Sequence, residues 1–258
     1  MSDPDFAPES SLPYPPLHKG TKFVVLSDWD GTITTLDSND YMTDNLGMGK
    51  AGRRQINLDT LNGELAFRDG FRKLLESVSD NGHTFEECKE ILKQNIKLDS
   101  GFKVFYRWCK ANDIPVIIVS SGMTPIIRAV LSNLVGDEDA NDIDIISNDV
   151  IIHPDGKWDI KYRHPTSHYG HDKSQAILPY KALPDPPTLF FFGDGVSDMS
   201  AAKHADVLFV KTKGDENDLA TYCQREGIKH IIFENFGDVL PIVESIVNGE
   251  KSVKEILG

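Results

Sequence analysis

An apolar run that ends in two carboxylates, Phe23-Val24-Val25-Leu26-Ser27-Asp28-Trp29-Asp30-Gly31-Thr32, carries the first strong signal in the sequence. Its first part, Phe23–Leu26, is continuously apolar, which is typical of a strand that is buried on both faces of a parallel sheet. Ligands of such sheets bind at the carboxyl ends of the strands. We therefore expect Asp28 and Asp30, which lie in the turn after the strand, to face one ligand-binding cleft.

Further apolar runs of strand length follow along the chain, and helical patterns lie between them. The first strand is taken as Lys22–Leu26, and the others are Pro115–Val119, Ile143–Ile146, Thr188–Phe192, Val207–Val210 and His230–Phe233. One helix begins at Thr124-Pro125 with an N-cap and a proline in its first turn, and a last helix covers Phe236–Val247. This alternation predicts an α/β fold with crossover connections.

A helical segment interrupts the alternation after the first strand. Residues 37–100 contain several helical patterns and no convincing strand. Arg68–Val78 has one apolar face, and Thr84–Asn95 begins with a capping box formed by Thr84 and Glu87. We interpret this segment as a small helical cap inserted after the first strand.

The predicted domain organisation has three parts. Residues 1–20 are a proline-rich arm, either extended on its own or lying on the domain. Residues 21–36 and 101–258 form the catalytic core, and residues 37–100 form the cap. Within the core, Asn148–Tyr162 is predicted to be a β-hairpin that turns at Pro154-Asp155-Gly156.

Composition and charge exclude several classes of protein. The 258 residues carry a net charge of −13, which argues against a nucleic-acid partner because such binding depends on basic patches. The three cysteines, Cys88, Cys109 and Cys223, are too far apart to suggest a disulfide framework or a structural zinc site. The apolar runs are too short to span a membrane, and the N-terminus has no secretion signal. We expect a soluble cytoplasmic protein, with the nucleus left open, that is a monomer or a dimer.

The pair Asp28 and Asp30 suits covalent catalysis, in which one carboxylate attacks and the other handles the proton. Gly31 permits a close approach of the backbone, and the amides of Gly31 and Thr32 are candidates to hold phosphate oxygens. The structural alternative is an acidic turn that caps the first helix.

Three other candidates are predicted to lie near the same edge of the sheet. Ser120-Ser121-Gly122 follows the second strand, and its hydroxyl groups and amides are candidates to bind phosphate. Asp194 and Asp198 follow Thr188–Phe192 and offer the oxygen ligands that Mg²⁺ prefers. Lys173 opens a helix and could neutralise both a nucleophile and a phosphate. Each has an ordinary structural explanation as a turn, a helix cap or a surface lysine, but one topology joins them all.

Along the chain the four motifs follow in the order Asp28-Trp29-Asp30-Gly31-Thr32, Ser120, Lys173 and Gly193-Asp194 with Asp198. With the motifs in this order, the sequence resembles the phosphatases of the haloacid dehalogenase superfamily. The helical insert resembles the cap of the phosphoserine phosphatase-like branch, and within that branch the chain is similar to the fungal proteins that resemble yeast polyol phosphatase. The resemblance implies a Rossmann-like, three-layer core with a parallel sheet and a helical cap. It also implies a Mg²⁺-dependent phosphatase that hydrolyses phosphate monoesters of small metabolites, namely polyol, sugar or amino-alcohol phosphates.

The resemblance also implies a role for each motif residue. Asp28 would be the nucleophile that forms an aspartyl-phosphate, and Asp30 would protonate the leaving alcohol and then activate water. Ser120 and Lys173 would hold the phosphoryl oxygens.

The metal ligands are implied in the same way. Mg²⁺ would be bound by Asp28, by the backbone carbonyl of Asp30 and by Asp194. Asp198 would support the metal directly or through its other ligands.

Candidates for contact with the rest of the substrate are less specific. Asp40, Asn57 and Arg68 are polar residues of the cap that either face the active site or face solvent. No counterpart of the cap glutamate that binds the amine in phosphoserine phosphatases is evident, so we expect polyol or sugar phosphates to be preferred.

The histidine-rich stretch before Lys173 is a further candidate. His164 and His168 have a spacing that could suggest a metal, but Pro165 and Gly170 favour a loop, so zinc is disfavoured. We expect this loop, including His171, to line the substrate site or to be solvated.

Two alternatives to hydrolysis stay open in the sequence. A phosphotransferase or phosphomutase would pass the phosphoryl group to an alcohol. A catalytically silent regulatory protein would keep the fold without turnover.

Overall fold

The computed structural model of the protein describes residues 7–212 and 218–258, and its central feature is a seven-stranded sheet. The strands are β1 (Phe23–Ser27), β2 (Val116–Met123), β3 (Asp144–Ile152), β4 (Trp158–Lys161), β5 (Thr188–Gly193), β6 (Val207–Lys211) and β7 (Ile231–Phe233). They are arranged in the order β4-β3-β2-β1-β5-β6-β7, and all neighbouring pairs are parallel except β3 with β4. The predicted α/β fold with a parallel core is confirmed.

Twelve helices belong to the described part of the chain. They are α1 (Ser38–Leu46), α2 (Gly49–Leu61), α3 (Phe67–Asp80), α4 (Phe85–Asn95), α5 (Phe102–Ala111), α6 (Thr124–Val135), α7 (Asp137–Asp142), α8 (Ser174–Lys181), α9 (Met199–Ala202), α10 (Asp218–Glu226), α11 (Phe236–Val247) and α12 (Val253–Leu257). Among the described residues, no helix has the length and apolar character needed to cross a bilayer.

The sheet separates two hydrophobic cores because successive side chains of a strand point to opposite faces. In β1, Val25 packs into one core with side chains of α5, α6 and α11. Val24 and Leu26 pack into the other core with side chains of α8, α9 and α10. This gives three layers, with β1 between β2 and β5 at the centre of the sheet.

Helices α1 to α4 lie between β1 and β2 in the chain, where the helical segment is predicted. The capping box of Thr84 and Glu87 is present at the start of α4, and α3 buries Leu74, Leu75 and Val78 as its pattern predicts. The core that contains Val25 also contains side chains of α3 and α4. The helical segment therefore shares its core with the sheet, and the division into a catalytic core and a cap stays a prediction.

The structure differs from the sequence-based expectation around Thr124. Strand β2 continues through Ser120-Ser121-Gly122 to Met123, whereas these residues are predicted to follow the strand as a loop. The hydroxyl of Thr124 does not cap α6, because it bonds to the Ser147 hydroxyl at 2.6 Å and donates to the Asn148 carbonyl at 3.1 Å. The neighbouring strand β3 supplies these partners, and its position is not evident from the local sequence.

The hairpin is found where it is predicted, and the described part of the predicted arm contacts the core. Strands β3 and β4 pair antiparallel around the turn at residues 154–156. Residues 1–6 of the arm lie outside the described residues, and the remainder lies on the core. The Ser11 amide donates to the Arg163 carbonyl at 2.7 Å, and the Tyr14 hydroxyl is 2.7 Å from Nε2 of His164.

A buried ion pair joins the end of the helical segment to the sheet. Lys211, at the end of β6, donates from Nζ to the Asp99 carboxylate and to the Thr32 carbonyl. The other oxygen of Asp99 accepts the backbone amides of Gly101 and Phe236. Both charged side chains are at most 5% exposed. Removal of either partner would leave the other one charged and buried.

We therefore expect Lys211→Met to lower the free energy of unfolding by about 3–5 kcal/mol, the usual cost of breaking a buried pair. The double variant Lys211→Met/Asp99→Leu leaves no buried charge and should be more stable than Lys211→Met alone. Urea unfolding followed by circular dichroism measures both. A single variant that is as stable as the wild type would contradict this role of the pair.

Candidate active site

A cavity of about 520 Å³ opens at the carboxyl ends of the central strands. Its floor is formed by residues that follow β1 and β5 and by the end of β2. Its other walls come from α1, α2 and α3, from the loop before Lys173, and from Met199 and Asp218 at the starts of α9 and α10. The predicted site residues that line it are Asp28, Asp30, Asn57, Ser120, Ser121, Gly122 and Asp194. The topology thus brings together residues that are far apart in the sequence, such as Asp28 and Asp194, which are separated by 166 positions.

The turn after β1 points both carboxylates into the cavity. The side chain of Trp29 is completely buried in the core, while Asp28 and Asp30 on either side of it line the cavity. Gly31 makes this reversal possible because its φ is +79°, a conformation that favours glycine. The amide of Gly31 donates to the Thr34 hydroxyl at 3.1 Å, and neither Gly31 nor Thr32 is part of the cavity wall. Their role in holding phosphate stays a prediction.

Lys173 lies just below the cavity and bridges two carboxylates. Its Nζ is 2.6 Å from Oδ1 of Asp28 and 2.7 Å from Oδ1 of Asp198, and its side chain is 0% exposed. Burial alone lowers the pKa of Lys173, but the charges of Asp198 and Asp28 and the two hydrogen bonds raise it above its usual value. Lys173 is therefore a permanent positive charge under the nucleophile candidate.

Three carboxylates converge beside this ammonium group. Oxygen atoms of Asp28, Asp194 and Asp198 lie within 4.8 Å of one another. The Thr32 hydroxyl donates to Asp194 at 3.1 Å, and the second oxygen of Asp198 accepts the backbone amides of Asp194 and Gly195.

The charge balance of this cluster fits a divalent cation. Burial and then the neighbouring carboxylates raise the pKa of Asp28 well above its usual range, and Lys173 only partly opposes this. Burial likewise raises the pKa of Asp198. One ammonium group does not offset three carboxylates, and oxygen donors are what hard cations such as Mg²⁺ bind. The cluster can therefore hold a metal ion.

Asp30 is held in place by the start of α1. Its Oδ1 accepts the Ser38 amide at 2.7 Å, and its Oδ2 accepts the side-chain amide of Asn39 at 2.7 Å. Burial and the nearby charge of Asp37 raise the pKa of Asp30 well above its usual range, which favours the protonated form. A Cβ at Gly122 would lie 3.4 Å from Oδ2 of Asp30, an ordinary contact distance, so β2 packs directly beside this carboxyl.

The end of β2 supplies hydroxyl groups beside Asp30. The Ser120 hydroxyl accepts the Gly122 amide at 3.0 Å, and the Ser121 hydroxyl has no hydrogen-bond partner among the described residues. His171 does not line the cavity, contrary to our expectation for its loop, because it is buried behind β2 with Nδ1 2.6 Å from the Ser120 carbonyl. Burial lowers the pKa of His171 well below its usual value, so the ring is neutral.

Arg68 also departs from the sequence-based expectation. It does not line the cavity, because its guanidinium donates to the Asp69 carboxylate at 2.8 Å and to the Pro165 carbonyl at 2.7 Å. The bond to Pro165 attaches α3 to the loop before Lys173. From that loop, His168 and Tyr169 line the cavity.

His164 takes part in hydrogen bonds rather than in a metal site. Its Nδ1 accepts the Asp172 amide at 3.0 Å, and its Nε2 is bonded to Tyr14. Among the described residues, the acidic cluster is the one group with the arrangement of a metal site.

Besides the candidate Asn57, the far wall of the cavity contains residues that no motif in the sequence indicates. Helix α2 contributes Arg53, Ile56, Asn57, Thr60 and Leu61, and helix α3 contributes Phe67, Phe71 and Leu74. The α2 residues are spaced three and four positions apart, so they share one face of the helix. That spacing is visible in the sequence, but it does not indicate a binding face until the position of α2 over the cavity is known. The two other residues of the cap that are candidates for substrate contact, Asn57 and Asp40, both line the cavity.

Comparison with known proteins places these features in a family. Residues 25–203 match the family of haloacid dehalogenase-like hydrolases. The Pdp3-interacting factor 1 of Schizosaccharomyces pombe is 52% identical over 83% of this chain and 92% of its own length. The polyol phosphate phosphatase PYP1 of Saccharomyces cerevisiae is 45% identical over 92% of this chain and 98% of its own length.

A solved structure supports the fold. A substrate-bound phosphoserine phosphatase is similar with a TM-score of 0.63 over 87% of this chain and 99% of that chain, at 20% sequence identity. The prediction of a phosphomonoester hydrolase is confirmed, and the chain belongs to the haloacid dehalogenase-like hydrolase family.

Proposed function

We propose that this protein is a Mg²⁺-dependent phosphatase that hydrolyses phosphate monoesters of polyols or sugars through an aspartyl-phosphate. The observation that carries the proposal is the convergence of Asp28, Asp194 and Asp198 within 4.8 Å in one cavity, with Lys173 buried between two of them. The sequence similarity to a polyol phosphate phosphatase supports this class of substrate.

Two carboxylates divide the covalent chemistry. A carboxylate oxygen of Asp28 attacks phosphorus, and the bond from phosphorus to the ester oxygen breaks. Asp30, whose pKa is raised by burial, gives its proton to the leaving oxygen. The resulting carboxylate of Asp30 then takes a proton from water, which attacks phosphorus and releases phosphate, so that both residues return to their initial state.

The rest of the floor binds and orients the phosphoryl group. Lys173 holds Oδ1 of Asp28 by a 2.6 Å hydrogen bond, and its charge reduces the repulsion between this carboxylate and a phosphate dianion. The Ser121 hydroxyl is buried without a partner and is available to donate to a phosphoryl oxygen. Ser120 lies beside it in the cavity wall.

Mg²⁺ would be held by Asp28, by Asp194 and by the backbone carbonyl of Asp30, with Asp198 behind them. When bound, it supplies positive charge that neutralises the phosphoryl oxygens. This assignment rests on the convergence of the carboxylates and on their raised pKa values.

The far wall is suited to a small leaving group. The cavity volume of about 520 Å³ accommodates a metabolite rather than a folded protein. Its polar side chains, such as Asn57 and Thr60, can bond to hydroxyl groups, and its aromatic side chains, Phe67 and Phe71, can pack against the carbon chain.

Asp28→Asn should abolish turnover while the fold is retained, because an amide is nearly isosteric but is not a nucleophile. Phosphate release and circular dichroism on the purified variant measure activity and folding. Asp185→Asn, at an exposed position, is the matched control and should behave as the wild type. If Asp28→Asn kept more than a few per cent of the activity, Asp28 would not be the nucleophile.

Chelation of divalent cations by EDTA should stop phosphate release, and added Mg²⁺ should restore it, because the clustered carboxylates need a cation to bind a phosphate dianion. Ca²⁺ should inhibit, since its longer and looser coordination would misplace the phosphate. The assay contains no acceptor alcohol, so phosphate release also separates hydrolysis from phosphoryl transfer. Full activity in EDTA would rule out the proposed metal site.

Residues of the far wall should affect substrates unequally. Asn57→Ala should change kcat/KM by about tenfold for the substrates that bond to its amide and little for the others. Arg68→Met is the control, because Arg68 lies outside the cavity wall and should affect all substrates by a similar factor. Ser120→Ala should lower kcat/KM for every substrate alike. Parallel assays on a panel of polyol and sugar phosphates measure these kcat/KM values. If Asn57→Ala changed kcat/KM by the same factor for every substrate, the assignment would be wrong.

A further inference from the structure

Arg53 is the one arginine or lysine in the described part of the cavity wall. It projects from α2, and its side chain is 14% exposed. A cation in this position would ordinarily attract a negatively charged group of the substrate. Its contacts within the protein are therefore informative about the leaving group that the cavity accepts.

The guanidinium of Arg53 is already bonded to two carboxylates of α1. Its Nε and Nη2 donate to the two oxygens of Asp44 at 2.7 and 2.8 Å, and its Nη1 donates to Asp40. The hydrogen bonds with Asp44 raise the pKa of Arg53 above its usual value and lower the pKa of Asp44. The bidentate edge of the guanidinium, which best fits a carboxylate, is thus occupied by Asp44.

Carboxylates surround this guanidinium. Asp37 and Asp40 both line the cavity, and Asp44 is bonded to Arg53. Arg53 is therefore bonded to, and flanked by, carboxylates of the protein itself. A substrate whose leaving group carries a carboxylate would meet like charges and no available bidentate partner.

We propose that Asp44, together with Asp40, occupies Arg53 and thereby makes the cavity select phosphate esters whose leaving group has no negative charge. The inference rests on the proposed phosphatase function and deepens it by naming the residues that exclude acidic substrates. In this view Arg53, Asp40 and Asp44 are specificity-determining residues, and Arg53 is a carboxylate-binding group that the protein itself has filled.

A purely structural role for the same contacts makes a different prediction. If the ion pairs only joined α1 to α2, their loss would reduce stability and would affect all substrates by the same factor. The ratio of kcat/KM for two substrates that differ in one carboxylate separates these roles.

Glycerol 3-phosphate and 3-phosphoglycerate are such a pair, because a hydroxymethyl group in the first replaces the carboxylate of the second. The wild type should prefer glycerol 3-phosphate. Asp44→Asn frees the bidentate edge of Arg53 and should lower this preference by about tenfold or more, which corresponds to about 1.4 kcal/mol. In the double variant Asp44→Asn/Arg53→Met, the relative increase in kcat/KM for 3-phosphoglycerate should be lost.

Asp59→Asn is the matched control, since it makes the same charge change on α2 at a residue that does not line the cavity and that bonds to Gln55. This variant should leave the ratio of the two kcat/KM values within about twofold of the wild type, whereas Asp44→Asn should change it by about tenfold. An unchanged ratio in both Asp44→Asn and Asp40→Asn/Asp44→Asn, with glycerol 3-phosphate still hydrolysed, would overturn the inference and leave the proposed function intact.

A binding measurement covers the case in which the wild type hydrolyses neither ester and the proposed function fails. In the Asp28→Asn background, the thermal stabilisation given by 3-phosphoglycerate relative to glycerol 3-phosphate should increase when Asp44→Asn is added. If Asp44→Asn does not increase it, the inference is wrong independently of turnover.

Discussion

The buried ammonium group of Lys173 is the interaction on which the rest of the site depends. It joins Asp28, which follows the central strand β1, to Asp198, which lies beyond the end of β5. Without it, the buried carboxylates would repel one another, and burying an unpaired carboxylate costs several kcal/mol. The sheet places the strand ends side by side, and the start of α8 brings the lysine under them. The fold therefore holds together charges that would separate in solution.

The backbone around these charges is fixed from outside the cavity. Thr32 donates its hydroxyl to Asp194, and its carbonyl accepts the ammonium group of Lys211. Lys211 also pairs with Asp99, where the helical segment returns to the sheet. A continuous set of hydrogen bonds thus connects the acidic cluster with the point at which the chain re-enters the core after α4. Displacement of α1 to α4 relative to the sheet would strain the same bonds that orient the carboxylates.

The sequence predicts the floor of the cavity well because its information is local. A continuous apolar run followed by Asp28 and Asp30 indicates both a buried strand and a ligand-binding turn. The parallel topology then places the ends of the other strands beside this turn. For Arg68 and His171 the sequence leaves both the cavity wall and solvent open, and neither lines the cavity, because each bonds to a carbonyl about 50 to 100 positions away, that of Pro165 or Ser120. Such contacts leave no periodic pattern in the sequence. The sequence does not indicate Arg53 either, because the importance of Arg53 depends on the placement of α2 over the cavity.

The floor and the far wall of the cavity differ in how their charges are balanced. At the floor, the proposed function requires Asp28 to receive a phosphate dianion, so Lys173 and a bound cation would offset the negative cluster. At the far wall, Arg53 is bonded to carboxylates of the protein itself. A phosphate monoester of a neutral alcohol fits this division, because its charge is confined to one end. An ester with a second anionic group would place charge at both ends, and only the floor is built to neutralise it.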